Sequence, residues 1–293
     1  MHIKNLIFDL YETLIDIRTD ESALSFWKGM AQLYGRCGAV YKPEELHQAY
    51  LRLVDDEQER LKIKSGLEYP EIDLEIVFRR LLEETPVQMA YSKDISDDAA
   101  IKTADNEKPG KKAAETGTAF GHGGLTGIPD EKTWTFMIAN AFRSMSMRRF
   151  KLYPGTLKTM KKLKADGYRL YLLSNAQSIF TRPELNMTGL TEVFDALYIS
   201  SEKGMKKPQP EFMQCLLDEQ GLDPEESMMI GNDTESDVRV ALSCGVTGCL
   251  LNTYHLSDKE IRERLNSLKK EYPGTKTEVI RSGRLSDLPG LLV

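Results

Sequence analysis

The sequence predicts an α/β fold, a doubly wound parallel sheet interrupted near its start by an inserted helical domain. Three observations predict it. Ile3 to Phe8 is a short apolar run that stops at an acidic residue, as a buried strand of a parallel sheet does. From Asp20 to about Phe150 the apolar residues recur at helical spacing. After Tyr153-Pro154-Gly155 strand-like and helix-like runs alternate, which implies parallel strands joined by crossover helices.

The first strand should end near Asp9. The insertion reads as four helices, ESALSFWKGMAQLYGR, PEELHQAYLRLVDDEQERLKI, EIDLEIVFRRLLEE and DEKTWTFMIANAFRSM. Between the last two, Ser92 to Asp130 is poor in large apolar residues and carries the breakers EKPGKK and GHGG, so it reads as a long mobile loop. The second half supplies a helix through LKTMKKLKADG, strands YRLYLLS and ALYIS, and a helix PEFMQCLLDEQG. A strand SMMIGN, a helix ESDVRVALSCG and a strand TGCLLN follow, and the tail from Tyr254 adds a helix and a candidate strand TEVIRSG. Residues 1–18 and 150–293 are therefore expected to form the sheet domain and 19–149 the helical one.

Composition bounds the function. With 41% hydrophobic and 29% charged residues the chain can bury a sizeable core. Its net charge of −6 gives no general attraction to nucleic acid or anionic lipid, and no basic patch offsets it. Cys37, Cys215, Cys244 and Cys249 form no CxxC pair and the four histidines are scattered, which argues against a disulfide framework and a zinc site. The segment MHIKNLIFDLYETL is apolar for too few residues to span a bilayer and lacks the features of a secretory signal. These features predict a cytoplasmic enzyme with no nucleic-acid or membrane partner.

In open α/β sheets ligands bind beyond the carboxyl ends of the strands. Four polar clusters follow apolar runs and should meet there: Asp9-Leu10-Tyr11-Glu12-Thr13, Ser174-Asn175, Lys206-Lys207-Pro208, and Gly231-Asn232-Asp233 with Asp237. Asp233 and Asp237 lie four apart, where carboxylate oxygens could hold a hard divalent cation. The order and spacing of the clusters resemble the haloacid dehalogenase (HAD) superfamily, over about residues 1 to 18 and 150 to 255. The intervening helices stand in the position of that family's type 1 cap.

The resemblance implies a hydrolase acting on a small anionic molecule with Asp9 as covalent nucleophile. Thr13 and Ser174 would donate to a bound oxyanion, Ser174-Asn175 matching the family's second loop, and Lys207, adjoining Pro208, would offset charge. Local turn or capping bonds are the alternative for both hydroxyls. The resemblance assigns Mg2+ to Asp9, the main-chain oxygen of Tyr11 and Asp233, with Asp237 orienting water or Lys207. Asn232 occupies the place where longer-spaced members have their first Asp, so the metal residue of this loop stays open.

One residue departs from the phosphatase pattern. Phosphatases of the family have a second Asp where this chain has Tyr11, and a phenol is a poor base at neutral pH. Haloacid dehalogenases also have Tyr there, and a halide leaves without a proton. Their fourth loop, however, carries Ser and Asn where this chain has Asn232 and Thr234, and six residues after the lysine they have Tyr in place of Met213. An acid from the cap, or Asp16, could stand in, or Tyr11 could pack under the cap with no chemical role. A magnesium-dependent phosphatase is the first reading, a dehalogenase the second, and a ligand-binding member without turnover the third.

Overall fold

The computed structural model describes residues 2–85 and 130–292. Its strands in chain order are β1 (Asn5–Phe8), β2 (Ile15–Thr19), β3 (Met147–Leu152), β4 (Arg169–Ser174), β5 (Ala196–Ile199), β6 (Ser227–Gly231), β7 (Thr247–Leu251) and β8 (Thr277–Ile280). Six form one parallel sheet in the order β5-β4-β1-β6-β7-β8, the doubly wound architecture the sequence predicts. β1 lies at its centre, with Phe8 registered against Leu172 of β4 and Ile230 of β6. The residue after Phe8 is thereby delivered between the ends of two neighbouring strands, where the strand order reverses direction.

The strand period of two separates the cores on the two faces. Leu6 and Phe8 pack with Leu170, Leu172 and Met228, whereas Ile7 packs with Tyr171, Leu173, Phe212 and Met229. Covering and connecting helices are α1 (Leu24–Arg36), α2 (Pro43–Ser65), α3 (Leu74–Glu83), α4 (Glu131–Ser146), α5 (Thr156–Ala165), α6 (Ser178–Thr188), α7 (Pro210–Gln220), α8 (Arg239–Ser243) and α9 (Asp258–Glu271). No helix among the described residues is long and apolar enough to cross a membrane.

The chain groups into two compact units. One comprises Asp20–Asp56 and Leu74–Ser146. Its core joins α1, α3 and α4 through Phe26, Trp27, Phe78 and Phe142, with Phe26 and Phe142 edge to face at 5.0 Å. The loop expected from Ser92 to Asp130 lies outside the described residues except for Asp130, whose carboxylate accepts from Thr133 N at 2.8 Å and caps α4.

The other unit holds the sheet with Met1–Thr19, Glu57–Asp73 and Met147–Val293. The stretch after α2 lies on the loops at the sheet's carboxyl edge: Lys206 N donates to Tyr69 O at 3.0 Å, Tyr69 N to Gln209 Oε1 at 3.0 Å, and Gln177 Nε2 to Ile72 O at 2.9 Å. Those backbone bonds explain why Glu57–Asp73 groups with the sheet.

Three elements, β2, β3 and α6, differ from the sequence reading. Helical spacing was expected as far as Phe150, yet Met147–Leu152 is β3, paired antiparallel with β2 through Ile15 and Leu152. Its partner lies far upstream, and periodicity within one window cannot report a distant partner. The stretch between YRLYLLS and ALYIS, left without an element, folds as α6, which carries Pro183 inside it. Proline ordinarily ends a helical pattern, and it masked this one.

Candidate active site

The site sits on the sheet-bearing unit and begins with Asp9, whose N–H still donates to Ile230 O at 2.9 Å. The chain then folds back sharply, with Leu14 N and Ile15 N both donating to Leu10 O at 2.8 and 3.0 Å and with Glu12 in the left-handed region at φ 61°. A non-glycine residue in that region carries backbone strain, which the surrounding bonds hold in place. The turn lays Thr13 beside Asp9: Thr13 Oγ1 donates to Asp9 Oδ2 at 2.9 Å.

Lys207 completes the centre. Its Nζ donates to Asp9 Oδ1 at 2.7 Å, Asp237 Oδ1 at 2.8 Å and Leu173 O at 2.7 Å, so all three ammonium protons are used. Burial opposes the lysine charge, but the carboxylates of Asp237 and Asp9 outweigh it and hold its pKa above the usual range. Asp237 is pushed up to about 6 by burial, with Lys207 opposing and Asp9 adding to the rise. Asn175 fixes the lysine's backbone from both sides, its Oδ1 accepting from Lys207 N at 2.7 Å and its Nδ2 donating to Lys207 O at 2.9 Å. Lys206 lies outside this centre, 3.9 Å from Glu71.

The fourth loop reaches Lys207 because Gly231 leaves room. A β-carbon there would fall 2.1 Å from Asp237 Oδ2. The wide turn after it keeps Asp237 in place, Asp233 N donating to Asp237 Oδ2 at 3.0 Å. Gly231→Ala is therefore expected to destabilise the fold by about 3 kcal/mol through overpacking, read as a shifted urea midpoint with unchanged slope. An unshifted midpoint would show that the loop moves aside freely.

Ser174, at the end of β4, is fully buried, and its hydroxyl and that of Thr234 have no hydrogen-bond partner among the described residues. Leaving such a group unpaired costs about 1–3 kcal/mol, and a bound acceptor would remove the cost. The structure thus brings Asp9, Thr13, Asn175 and Lys207 together with Asp237, and places Ser174 on the strand beside β1.

The side chains of Tyr11, Asp16 and Asp233 are engaged elsewhere, and that of Asn232 is not. Tyr11 packs its ring against the core, and its hydroxyl lies 2.9 Å from Thr181 Oγ1 and donates to Glu184 Oε2 at 2.5 Å. Asp16 is paired with Arg149 at 3.1 Å and Lys151 at 3.6 Å. Asp233 caps the turn that follows it, Oδ1 accepting from Glu235 N at 2.8 Å and Oδ2 from Ser236 Oγ at 3.1 Å. Asn232 is the buried side chain beside the nucleophile loop, with Oδ1 2.9 Å from Thr13 Oγ1. Among the described residues no three His, Cys, Asp or Glu side chains are gathered as a metal site.

Sequence reasoning missed Thr181, Glu184 and Tyr254. The first two ride on α6, which the spacing of Phe180, Glu184 and Leu185 and the closing Gly189 would have revealed, though nothing local ties them to Tyr11. Tyr254, whose phenol pKa is raised by burial with Glu12, Asp233 and Asp9 adding to the rise, has no sequence signal.

Comparison with known proteins identifies the family of the chain. The sequence model described as "Hydrolase: haloacid dehalogenase-like hydrolase" matches residues 3–245. A glyceraldehyde 3-phosphate phosphatase of Methanothermobacter thermautotrophicus is 34% identical over 101 residues, which are 34% of this chain and 45% of that protein. The chain spans about half the length of the curated relatives it matches. The 2-haloacid dehalogenase from Pseudomonas syringae pv. Tomato DC3000 aligns over 99% of this chain and 98% of its own, with a TM-score of 0.55 at 17% identity. The HAD phosphatase from Thermococcus onnurineus aligns over the same shares, with a TM-score of 0.53 at 16% identity. At these identities the two structures establish the fold alone. Because the family match runs from the first strand to beyond Asp237 and takes in all four polar clusters in order, the chain belongs to the haloacid dehalogenase-like hydrolases.

Proposed function

We propose that this hydrolase removes a phosphoryl group from a small anionic metabolite through a covalent intermediate on Asp9. One observation carries the reading: the Asp9 carboxylate, 2.7 Å from the buried Lys207 ammonium, lies beyond a strand whose neighbour ends in the Ser174 hydroxyl, which has no partner among the described residues. The similarity to a named phosphatase supports it.

In the first step an Asp9 oxygen attacks phosphorus and the bond to the leaving oxygen breaks. In the second, water attacks phosphorus, inorganic phosphate departs and the carboxylate is restored. Lys207 offsets the charge shared by carboxylate and substrate, Asn175 holds it in place, and Ser174 donates to a phosphoryl oxygen. Tyr11 spends its hydroxyl on Glu184 and supplies no acid. The leaving group must therefore depart as a stable anion, as from an acyl or aryl phosphate.

Magnesium belongs to this reading. The oxygens gathered around Thr13, the Asp9 carboxylate and the Asn232 amide oxygen, are hard donors that suit magnesium in kind, and the family resemblance would add the main-chain oxygen of Tyr11. When bound it supplies further charge neutralisation.

The test is phosphate release from a panel of phosphoesters and acyl phosphates, with and without magnesium, using Asp9→Asn as the blank. Equal, slow release by both proteins would end the proposal. The second reading, carbon–halogen hydrolysis, is favoured by the Tyr11–Glu184 bond, since a halide needs no acid. Chloride release from 2-chloropropionate that survives EDTA would select it.

A further inference from the structure

We infer that Asn232, not Asp233, is the fourth-loop side chain that faces the magnesium position, and that its neutral amide leaves the chain with weak cation affinity. The inference builds on the magnesium of the proposed function but is read without substrate.

Three observations converge. Asp233 has both carboxylate oxygens engaged by its own turn, at 2.8 Å from Glu235 N and 3.1 Å from Ser236 Oγ. Asp237 is ion-paired with Lys207 at 2.8 Å and accepts Asp233 N at 3.0 Å, so its oxygens are engaged as well. Asn232 is 6% exposed, and its amide lies 2.9 Å from the same Thr13 hydroxyl that bonds Asp9. A hydroxyl has one proton and serves only one of these acceptors at a time, so Asn232 and Asp9 share a single contact point. The side chain in line with the nucleophile is thus an amide, and the adjacent carboxylate is turned to its own helix end.

The consequence is electrostatic. A cation beside Asp9 would meet a carboxylate that already bonds the Lys207 ammonium at 2.7 Å, while the second carboxylate of the centre, Asp237, is held by the same ammonium at 2.8 Å. Affinity for hard divalent cations follows the number of charged ligands, falling to about 10⁻³ M in sites poor in charge. A carboxylate at position 232 would supply the missing charge at the place where Thr13 already accommodates an acceptor.

Binding of Mn2+, followed by electron paramagnetic resonance of the free ion without substrate, tests this. Wild type is expected to half-saturate near or above about 1 mM. Asn232→Asp should bind at least tenfold more tightly, and Mn2+ should raise its melting temperature more than that of wild type. Asp233→Asn, which keeps a capping side chain, should bind as wild type does. Micromolar binding by wild type, no gain in Asn232→Asp, or a tenfold loss in Asp233→Asn would each overturn the assignment. Should Asn232→Asp fail to fold, the Asp233→Asn titration decides alone. Failure of the proposed activity would leave these binding curves unaffected, so the two claims fall separately.

Discussion

Asp9→Asn is expected to slow turnover by about 10⁴-fold, the scale on which removal of a group acting in concert with its neighbours is felt, while leaving the fold at least as stable. The two halves of that result have one origin. An amide keeps the shape of the side chain: its oxygen can accept from Lys207 and its NH2 can donate to the Thr13 hydroxyl, which is then free to donate to Asn232, but it has no nucleophilic carboxylate oxygen. Its effect on stability follows from the charge count around the ammonium. Lys207 is shared by two carboxylates, Asp9 and Asp237, so the buried centre carries an excess negative charge. Neutralising Asp9 leaves one ammonium with one carboxylate, and like-charge repulsion on Asp237 disappears. Thermal melting beside steady-state rates checks both halves. A fall of the melting temperature by more than about 5 °C, roughly 2 kcal/mol for a chain of this size, would show that Asp9 is a structural ion-pair partner and that the rate loss is indirect.

How much of this was readable beforehand differs from residue to residue, and the difference has a physical basis. Strand ends that carry polar clusters mark the sheet's functional edge because burial forces the preceding residues to be apolar, so Asp9, Ser174, Lys207 and Asp237 stood out. Contacts that depend on a second element did not. Tyr11 is directed by Glu184, which sits 173 positions away on a helix disguised by Pro183. The choice between Asn232 and Asp233 turns on which way two adjacent side chains point. Spacing cannot tell a residue that caps its own turn from one that faces a neighbour. The β2–β3 ribbon escaped for a related reason: half of MRRFKL is charged, and its partner Ile15–Thr19 is separated from it in sequence by the whole insertion. The segment at Tyr69 reads as the loop between two helices of the insertion, yet its backbone bonds tie it to the loop that carries Lys207.

Lys207→Met should abolish measurable turnover and destabilise the protein by about 3–5 kcal/mol, the cost of removing one partner from a buried charge cluster. Methionine fills nearly the same volume, so cavity formation is not the cause. What remains is a pair of carboxylates without their cation and a Leu173 carbonyl without its donor. The pH dependence identifies the charge as the source. Asp237 is raised to about 6 in the native protein, against about 3.9 for an unfolded aspartate. Between those values the native state holds a proton that the unfolded state has released, so stability falls as pH rises across that window. Removing Lys207 takes away the charge that lowers Asp237, leaving only the backbone bond from Asp233 to oppose its burial, and the window then extends above pH 6. The deficit relative to wild type should be small at pH 5, where Asp237 is protonated in both proteins, and should widen steadily toward pH 8. Adding Asp237→Asn to the variant should restore most of the stability at pH 8 and none of the activity, because it removes the uncompensated charge without returning a cation to Asp9. Chemical denaturation at the two pH values measures this directly. A deficit that is the same at pH 5 and pH 8, or that persists in the double variant, would mean that Lys207 holds the loops together by packing and not by charge.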